Sequence, residues 1–240
     1  MITISKLIEI KNITKSFDNL KVLDGVSLSL SRGESVAIVG PSGVGKSTLL
    51  RIVAGLDKPD SGEVKVLTDK ISMVFQSSAL LSSYTVGENI DLALNGVKSK
   101  DERYAKVIEN LKLVGLEKYV SSYPDNLSGG QRKRVGFARA IASHPEVILY
   151  DEPTTGLDPV LSTVIEDYMN KLSEEFKVST VVVTHQLSTI KRTVKRVVML
   201  YNGKIVWEGS PEEFLKSDNP YVKQFVNAEI EGPLLSGLLE

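Results

Sequence analysis

Gly40-Pro41-Ser42-Gly43-Val44-Gly45-Lys46-Ser47, preceded by Ser35-Val36-Ala37-Ile38-Val39 and followed by Thr48-Leu49-Leu50, is the stretch that decides the reading of this chain. It fits the spacing G-x-x-x-x-G-K-[ST] between a buried strand, expected over Ser35 to Val39, and a helix, expected over Lys46 to Ala54 and stopped by Gly55. Small residues let backbone N–H groups turn inward onto phosphate oxygens, and the helix N-terminus adds a favourable dipole. In such a loop Lys46 reaches the β- and γ-phosphates and the Ser47 hydroxyl ligates Mg²⁺, with Thr48 counted among the nucleotide-binding residues. Alone, the motif indicates nucleoside triphosphate binding and no more. The competing explanation is an ordinary glycine-rich turn.

Upstream, Ile8 to Ile13 and Val22 to Leu30 read as strands, punctuated by Asp18-Asn19 and Arg32-Gly33. Downstream, Glu63 to Leu67 and Ile71 to Phe75 are expected as short strands. Thr85 to Leu94, Asp101 to Val114 and Gly129 to Ser143 have helical spacing and form a helical insertion at about residues 84–142. Val147 to Tyr150 and Thr180 to Val183 are short apolar runs of the kind buried on both faces of a parallel sheet, with a helix over Pro159 to Glu175 between them. Arg196 to Tyr201 and Lys204 to Glu208 flank Asn202-Gly203, a strong hairpin signal. Two short helices and a tail after Glu231 finish the chain.

At 240 residues and 42% hydrophobic content the chain can bury one large core, with or without an inserted subdomain. Twenty-nine basic against thirty acidic side chains leave a net charge of −1, so no global field draws it to nucleic acid or anionic lipid. The absence of cysteine excludes disulfides and thiolate metal sites and suits a reducing cytoplasm. Only His144 and His185 supply imidazole. Lys6, Glu9 and Lys11 interrupt the apolar character a signal peptide requires. The longest apolar runs, Val178 to Val183 and Val197 to Leu200, fall far short of the roughly 20 residues that cross a bilayer. Any membrane role is expected to come through partners.

Val147-Ile148-Leu149-Tyr150-Asp151-Glu152 puts adjacent carboxylates at the C-terminal end of a buried strand, where open α/β sheets place their ligands. Asp151 is expected to hold Mg²⁺, and Glu152 to polarise the water that attacks a γ-phosphate. Tyr150 is a polar choice for such a strand, and its hydroxyl is expected to find a partner. Leu127-Ser128-Gly129-Gly130-Gln131 then precedes a helix, giving a second N-terminus rich in free N–H donors. One phosphate cradle already exists, so the economical assignment for Ser128 to Gly130 is a γ-phosphate bound by another copy.

Here the residues resemble the ABC ATPase family, whose signature Leu-Ser-Gly-Gly-Gln occurs intact at Leu127 to Gln131. The resemblance spans about residues 6 to 228. It implies an α/β fold: a RecA-like P-loop NTPase core with a parallel sheet, an N-terminal antiparallel β-subdomain and an inserted helical subdomain. The expected domain is 1–228, with 229–240 a C-terminal extension. The resemblance further implies ATP and Mg²⁺, a head-to-tail homodimer and integral membrane permease partners. Phe17 sits where the family carries an adenine-stacking aromatic. Gln76 resembles the lid glutamine that touches Mg²⁺ or water, Gly156-Leu157-Asp158 the loop that contacts the opposite subunit, and His185 the switch histidine on the γ-phosphate. By residue type alone Phe17 reads as core and His185 as a strand end.

Phe75 to Ser82 and Ser217 to Val226, followed by Glu231-Gly232-Pro233, are similar to ATPases of bacterial Mla-type phospholipid transporters, which are partnered with MCE-domain proteins. In that subfamily the C-terminal extension can reach the neighbouring ATPase. Lys58 to Gln76 is shorter than is usual in the family, so a compact β-arm is expected. The alternatives are the ATPase of an importer of amino acids or other small solutes, and a soluble ABC ATPase not coupled to transport. Against the latter, the chain has neither two fused ATPase halves nor a long coiled coil. His144 reads as a helix cap, Trp207 as core, and Arg132-Lys133-Arg134 as a solvated or salt-bridged face rather than a nucleic-acid patch.

Overall fold

The computed structural model describes residues 5–234. In chain order the elements are strands β1 (Lys6–Phe17), β2 (Leu20–Ser31) and β3 (Ser35–Val39), helix α1 (Lys46–Val53), and strands β4 (Ser61–Val66) and β5 (Ile71–Val74). Helices α2 (Val86–Asp91), α3 (Lys100–Leu113) and α4 (Gly129–Ala142) follow, then strand β6 (Val147–Asp151), helix α5 (Pro159–Glu175) and strand β7 (Ser179–Val183). Helix α6 (Leu187–Thr193), strands β8 (Arg196–Tyr201) and β9 (Lys204–Gly209), and helices α7 (Pro211–Leu215) and α8 (Pro220–Asn227) end the series. Two units can be described separately, one from the residues up to Asp69 and from Ser179 onward, the other Lys70–Val178.

In the first unit β1 lies between β2 and β4, antiparallel to both. These strands run longer than their apolar patterns suggest because irregularities interrupt the pairing. One falls between Ile10 and Ile13, where Asn12 adopts φ 49° and donates its N–H to Ser27 Oγ at 2.9 Å. Every residue of β3 and β7 is buried, as continuous Val/Ile runs require in a strand covered on both faces. β3 is parallel to both β7 (Ile38↔Val183) and β8 (Val39↔Met199). Asn202 (φ 45°) and Gly203 (φ 71°) turn β8 into antiparallel β9, the left-handed pair that a tight hairpin demands.

Trp207 is half-buried rather than core: its ring meets the fully buried Phe214 at 5.2 Å and lies so close to Gly209 that a Cβ there would come within 2.7 Å of it. Helix α6 has no counterpart in the sequence reading. It begins at Gln186, which makes no side-chain cap hydrogen bond, so the usual start signal is missing. After α8 the chain turns back on its own unit. Tyr201 Oη donates to the Pro233 carbonyl at 2.7 Å, and the Leu234 N–H donates to Gln224 Oε1 at 2.7 Å. The expected extension over 229–240 thus lies partly outside the described residues, from 235 onward.

In the second unit β5 and β6 pair in parallel, Val74 opposite Tyr150. The inserted helices close on a cluster of Val86, Ile90, Leu94, Val107, Leu111 and Val135. Helix α2 opens with a capping box between Thr85 and Glu88 and stops at Asp91, short of the expected Leu94. The reason is Arg103 on α3, whose guanidinium takes the carbonyls of Asp91, Leu94 and Val97 and so terminates the helix. His144, exposed and at φ 49°, ends α4 as a left-handed cap, its N–H on the Ile141 carbonyl at 2.8 Å. Among the described residues no helix is long and apolar enough to cross a membrane.

Candidate active site

The phosphate loop leaves β3 at Gly40, and its backbone has room for glycine alone at two points. Gly40 lies at φ 144°, where a Cβ would come within 2.2 Å of the Leu200 carbonyl oxygen; Gly45 lies at φ 99°, where a Cβ would come within 2.7 Å of Val22. The loop can therefore curl tightly against its own strands and present N–H groups at its mouth. Lys46 is buried, and its Nζ bridges the Gly40 and Pro41 carbonyls at 2.8 and 2.7 Å, which holds the ammonium across the loop. Ser42, Gly43 and Ser47 are exposed, and Pro41, Val44 and Thr48 are half-buried.

The parallel register places His185 two residues beyond Val183, level with Gly40 two residues beyond Ile38, so the loop and the imidazole leave the same sheet edge. His185 is exposed there. Phe17 is 48% exposed, which removes the core explanation, and the Lys15 ammonium lies 5.4 Å from the ring centroid. The open ring is accessible to a flat partner.

In the second unit the same geometry recurs. Gln76 stands two residues past Val74 and Glu152 two past Tyr150 on paired parallel strands, so both emerge at one edge beside Asp151. Gln76 is exposed. Glu152 adopts φ 48°, unusual for a residue with a side chain and more so before a proline. Thr155 Oγ1 donates to Glu152 Oε2 at 2.8 Å. The hydroxyl, amide and carboxylate oxygens of Ser47, Gln76 and Asp151 are hard donors of the kind Mg²⁺ takes. Among the described residues no group of three or more His, Cys, Asp or Glu is placed to hold a metal ion.

Helix α4 begins at Ser128 with a reciprocal box: Ser128 Oγ accepts from the Gln131 N–H at 3.2 Å, and Gln131 Oε1 accepts from the Ser128 N–H at 2.8 Å. The N–H groups of Gly129 and Gly130 come before the first intrahelical bond and find no acceptor among the described residues. They form an oriented pair of donors.

Four side chains of this unit depart from the sequence reading. Arg132, Lys133 and Arg134 are no solvated face: Arg132 donates to the Leu127 carbonyl, Lys133 to those of Pro153 and Thr155, and Arg134 to that of Val114. The loop after Gln76 is also gripped by residues no motif marks. Arg139 donates to the carbonyls of Ser78 and Ala79, both at positive φ. Fully buried Asn89 accepts from the Leu81 N–H at 2.8 Å and donates to the carbonyls of Leu81, Tyr84 and Thr85. Asn89→Leu should lower stability by about 1–3 kcal/mol by leaving those backbone groups unpaired, read as an earlier midpoint in urea denaturation. Tyr150, expected to find a hydroxyl partner, has none among the described residues; it stacks on Phe137 at 5.3 Å, and burial pushes its phenol pKa up.

A glycine-only phosphate loop with a buried lysine on a strand-to-helix turn defines a P-loop nucleoside triphosphatase. Comparison with known proteins narrows this. The family model described as ABC transporter matches residues 23–155. Similar relatives include the chloroplastic protein trigalactosyldiacylglycerol 3 of Arabidopsis thaliana, 42% identical over 95% of this chain and 75% of the relative. A probable amino-acid import ATP-binding protein of Bacillus subtilis is 40% identical over 92% and 96%. A probable sulfate/thiosulfate import ATP-binding protein of Chlorella vulgaris is 43% identical over 88% and 93%. Among solved structures, a dimeric ATP-binding cassette in a post-hydrolysis state bound to ADP and Pi is 37% identical, with a TM-score of 0.78 over 85% of this chain and 98% of that one. The chain belongs to the ABC transporter family and forms its ATP-hydrolysing cassette.

Proposed function

We propose that this chain works as a head-to-tail homodimer that closes around two ATP molecules and drives a membrane permease in phospholipid trafficking, on the cytoplasmic face of the membrane. The observation that carries the dimer is the presence of two helix-start donor clusters in one chain, the loop at Gly40 to Ser47 and the N–H pair at Gly129 and Gly130, each of a kind that binds phosphate. Each ATP is held by one chain's loop and capped by the other's Ser128, Gly129 and Gly130. Dimeric solved cassettes support this arrangement. Lys46 neutralises the β- and γ-phosphates, and Phe17 stacks on the adenine. Ser47, Asp151 and Gln76 would hold Mg²⁺, which would supply positive charge against the phosphates. Glu152 takes the proton of the attacking water, and His185 contacts the γ-phosphate. Loss of the γ-phosphate removes the bridge between subunits, and the dimer relaxes.

The lipid assignment rests on Phe75 to Ser82, on the tail Ser217 to Pro233, and on a relative named for a galactolipid. Copurifying the chain with its permease and an MCE-domain protein, then extracting bound lipid for mass spectrometry, tests it. Phospholipid in the complex and stimulation of ATPase activity by added phospholipid are the expected results. A second reading, the ATPase of a small-solute importer, is favoured by the amino-acid and sulfate import relatives. Stimulation by a solute and its binding protein, with no lipid retained, would replace the first reading with the second.

A further inference from the structure

Lys133 stands out because lysine is rarely buried, and here only 9% of the residue is exposed. Its Nζ donates to the Pro153 carbonyl at 3.0 Å and to the Thr155 carbonyl at 2.6 Å. Those carbonyls belong to the turn that directly follows Glu152, and the turn needs holding. Glu152 sits at φ 48° ahead of Pro153, a conformation that persists only when its surroundings impose it. Thr155 then ties the turn to Glu152 twice, its hydroxyl donating to the carboxylate at Oε2 at 2.8 Å and its N–H to the backbone carbonyl at 3.3 Å.

Lys133 is also fixed at its other end. It lies on α4, less than two turns from Gly129 and Gly130, on a helix start locked by the Ser128–Gln131 box. Gly130 is pressed against the same neighbourhood: a Cβ there would stand 3.2 Å from Leu161 and 3.8 Å from Leu157. Burial pushes the Lys133 pKa down, while the charge of Glu152 opposes the shift, so the two groups feel each other across the turn.

We propose that Lys133 is a positioning residue for ATP hydrolysis: from the helix that caps the partner's nucleotide, its ammonium clamps the Pro153 and Thr155 carbonyls and so aims Glu152 at its own nucleotide's water. This rests on Glu152 being the general base. One consequence is that seating α4 on the partner's γ-phosphate and orienting Glu152 are mechanically one event, linking the two sites of the dimer through a contact inside each chain.

The test compares Lys133→Met, Lys133→Gln and Lys133→Arg in the full chain, measuring steady-state ATPase kinetics, binding of a fluorescent ATP analogue and thermal melting. Lys133→Met should lower kcat about 30-fold and Lys133→Gln about 10-fold, each with KM for ATP within about threefold of the parent, since misaiming a base costs turnover more than binding. Lys133→Arg, which keeps charge and two donors, should remain within about threefold of the parental kcat. A parental kcat in either neutral variant overturns the proposal. So does a loss of kcat matched by lost binding sites and a lowered melting temperature, the signature of a merely structural lysine. Should Lys133→Met not fold, Lys133→Gln and Lys133→Arg decide by the same criteria. Glu152→Gln is run alongside: if it turns over normally, the base assignment fails; if it is inactive while the neutral Lys133 variants are parental, only the role of Lys133 fails.

Discussion

Glu152→Gln should reduce kcat for ATP by about 10²- to 10⁴-fold, the usual worth of a positioned general base. Glutamine keeps the size of the side chain and an oxygen that can accept from Thr155 Oγ1, now at 2.8 Å from Glu152. It also keeps whatever strain belongs to φ 48°, because that strain is a property of any residue with a Cβ. The fold and the nucleotide contacts should therefore survive while proton transfer is lost. With ATP no longer consumed, the dimer should accumulate, visible as an ATP-dependent shift to double mass in size-exclusion chromatography. Turnover at the parental rate would sink the assignment of Glu152.

Lys46→Ala should act earlier, on binding. The Lys46 ammonium already bridges the carbonyls of Gly40 and Pro41, and in the proposed complex it also faces phosphate charge. Alanine removes both, so affinity for ATP should fall by about 100-fold, roughly 3 kcal/mol at 1.4 kcal/mol per tenfold. Equilibrium titration with a fluorescent ATP analogue measures it directly. Retention of parental affinity would show that Gly40 to Ser47 is a structural turn. The two variants separate cleanly, one binding without hydrolysing and the other failing to bind.

What the sequence exposed and what it hid divide along a physical line. β3, α5 and β8 have the expected bounds because each announces itself locally: short, mostly apolar runs in the strands, and Asp158 capping the Val160 and Leu161 N–H groups ahead of α5, with Pro159 at its first position. The loop at Gly40 to Ser47 and the box at Ser128 to Gln131 were legible for the same reason, since contiguous residues make them. Lys133, Arg139 and Asn89 were not, although each holds a loop that bears a candidate catalytic side chain. Their partners are backbone carbonyls and N–H groups, which every residue carries, and which only tertiary folding brings within reach. A basic triplet after the signature thus looks like a wet surface until the chain folds over it. Helix α6 escaped for a related reason, having no side chain at its start to mark it.

The free N–H pair at Gly129 and Gly130 has one further consequence. Peptide donors there would meet phosphate oxygens and nothing else, so half of the proposed composite site is blind to the identity of the nucleobase. Discrimination between adenine and guanine triphosphates falls to the other half, where the open ring of Phe17 with Lys15 beside it is the aromatic surface a base would meet. In the proposed complex a stacking ring would grip either purine, so that contact alone would not separate adenine from guanine.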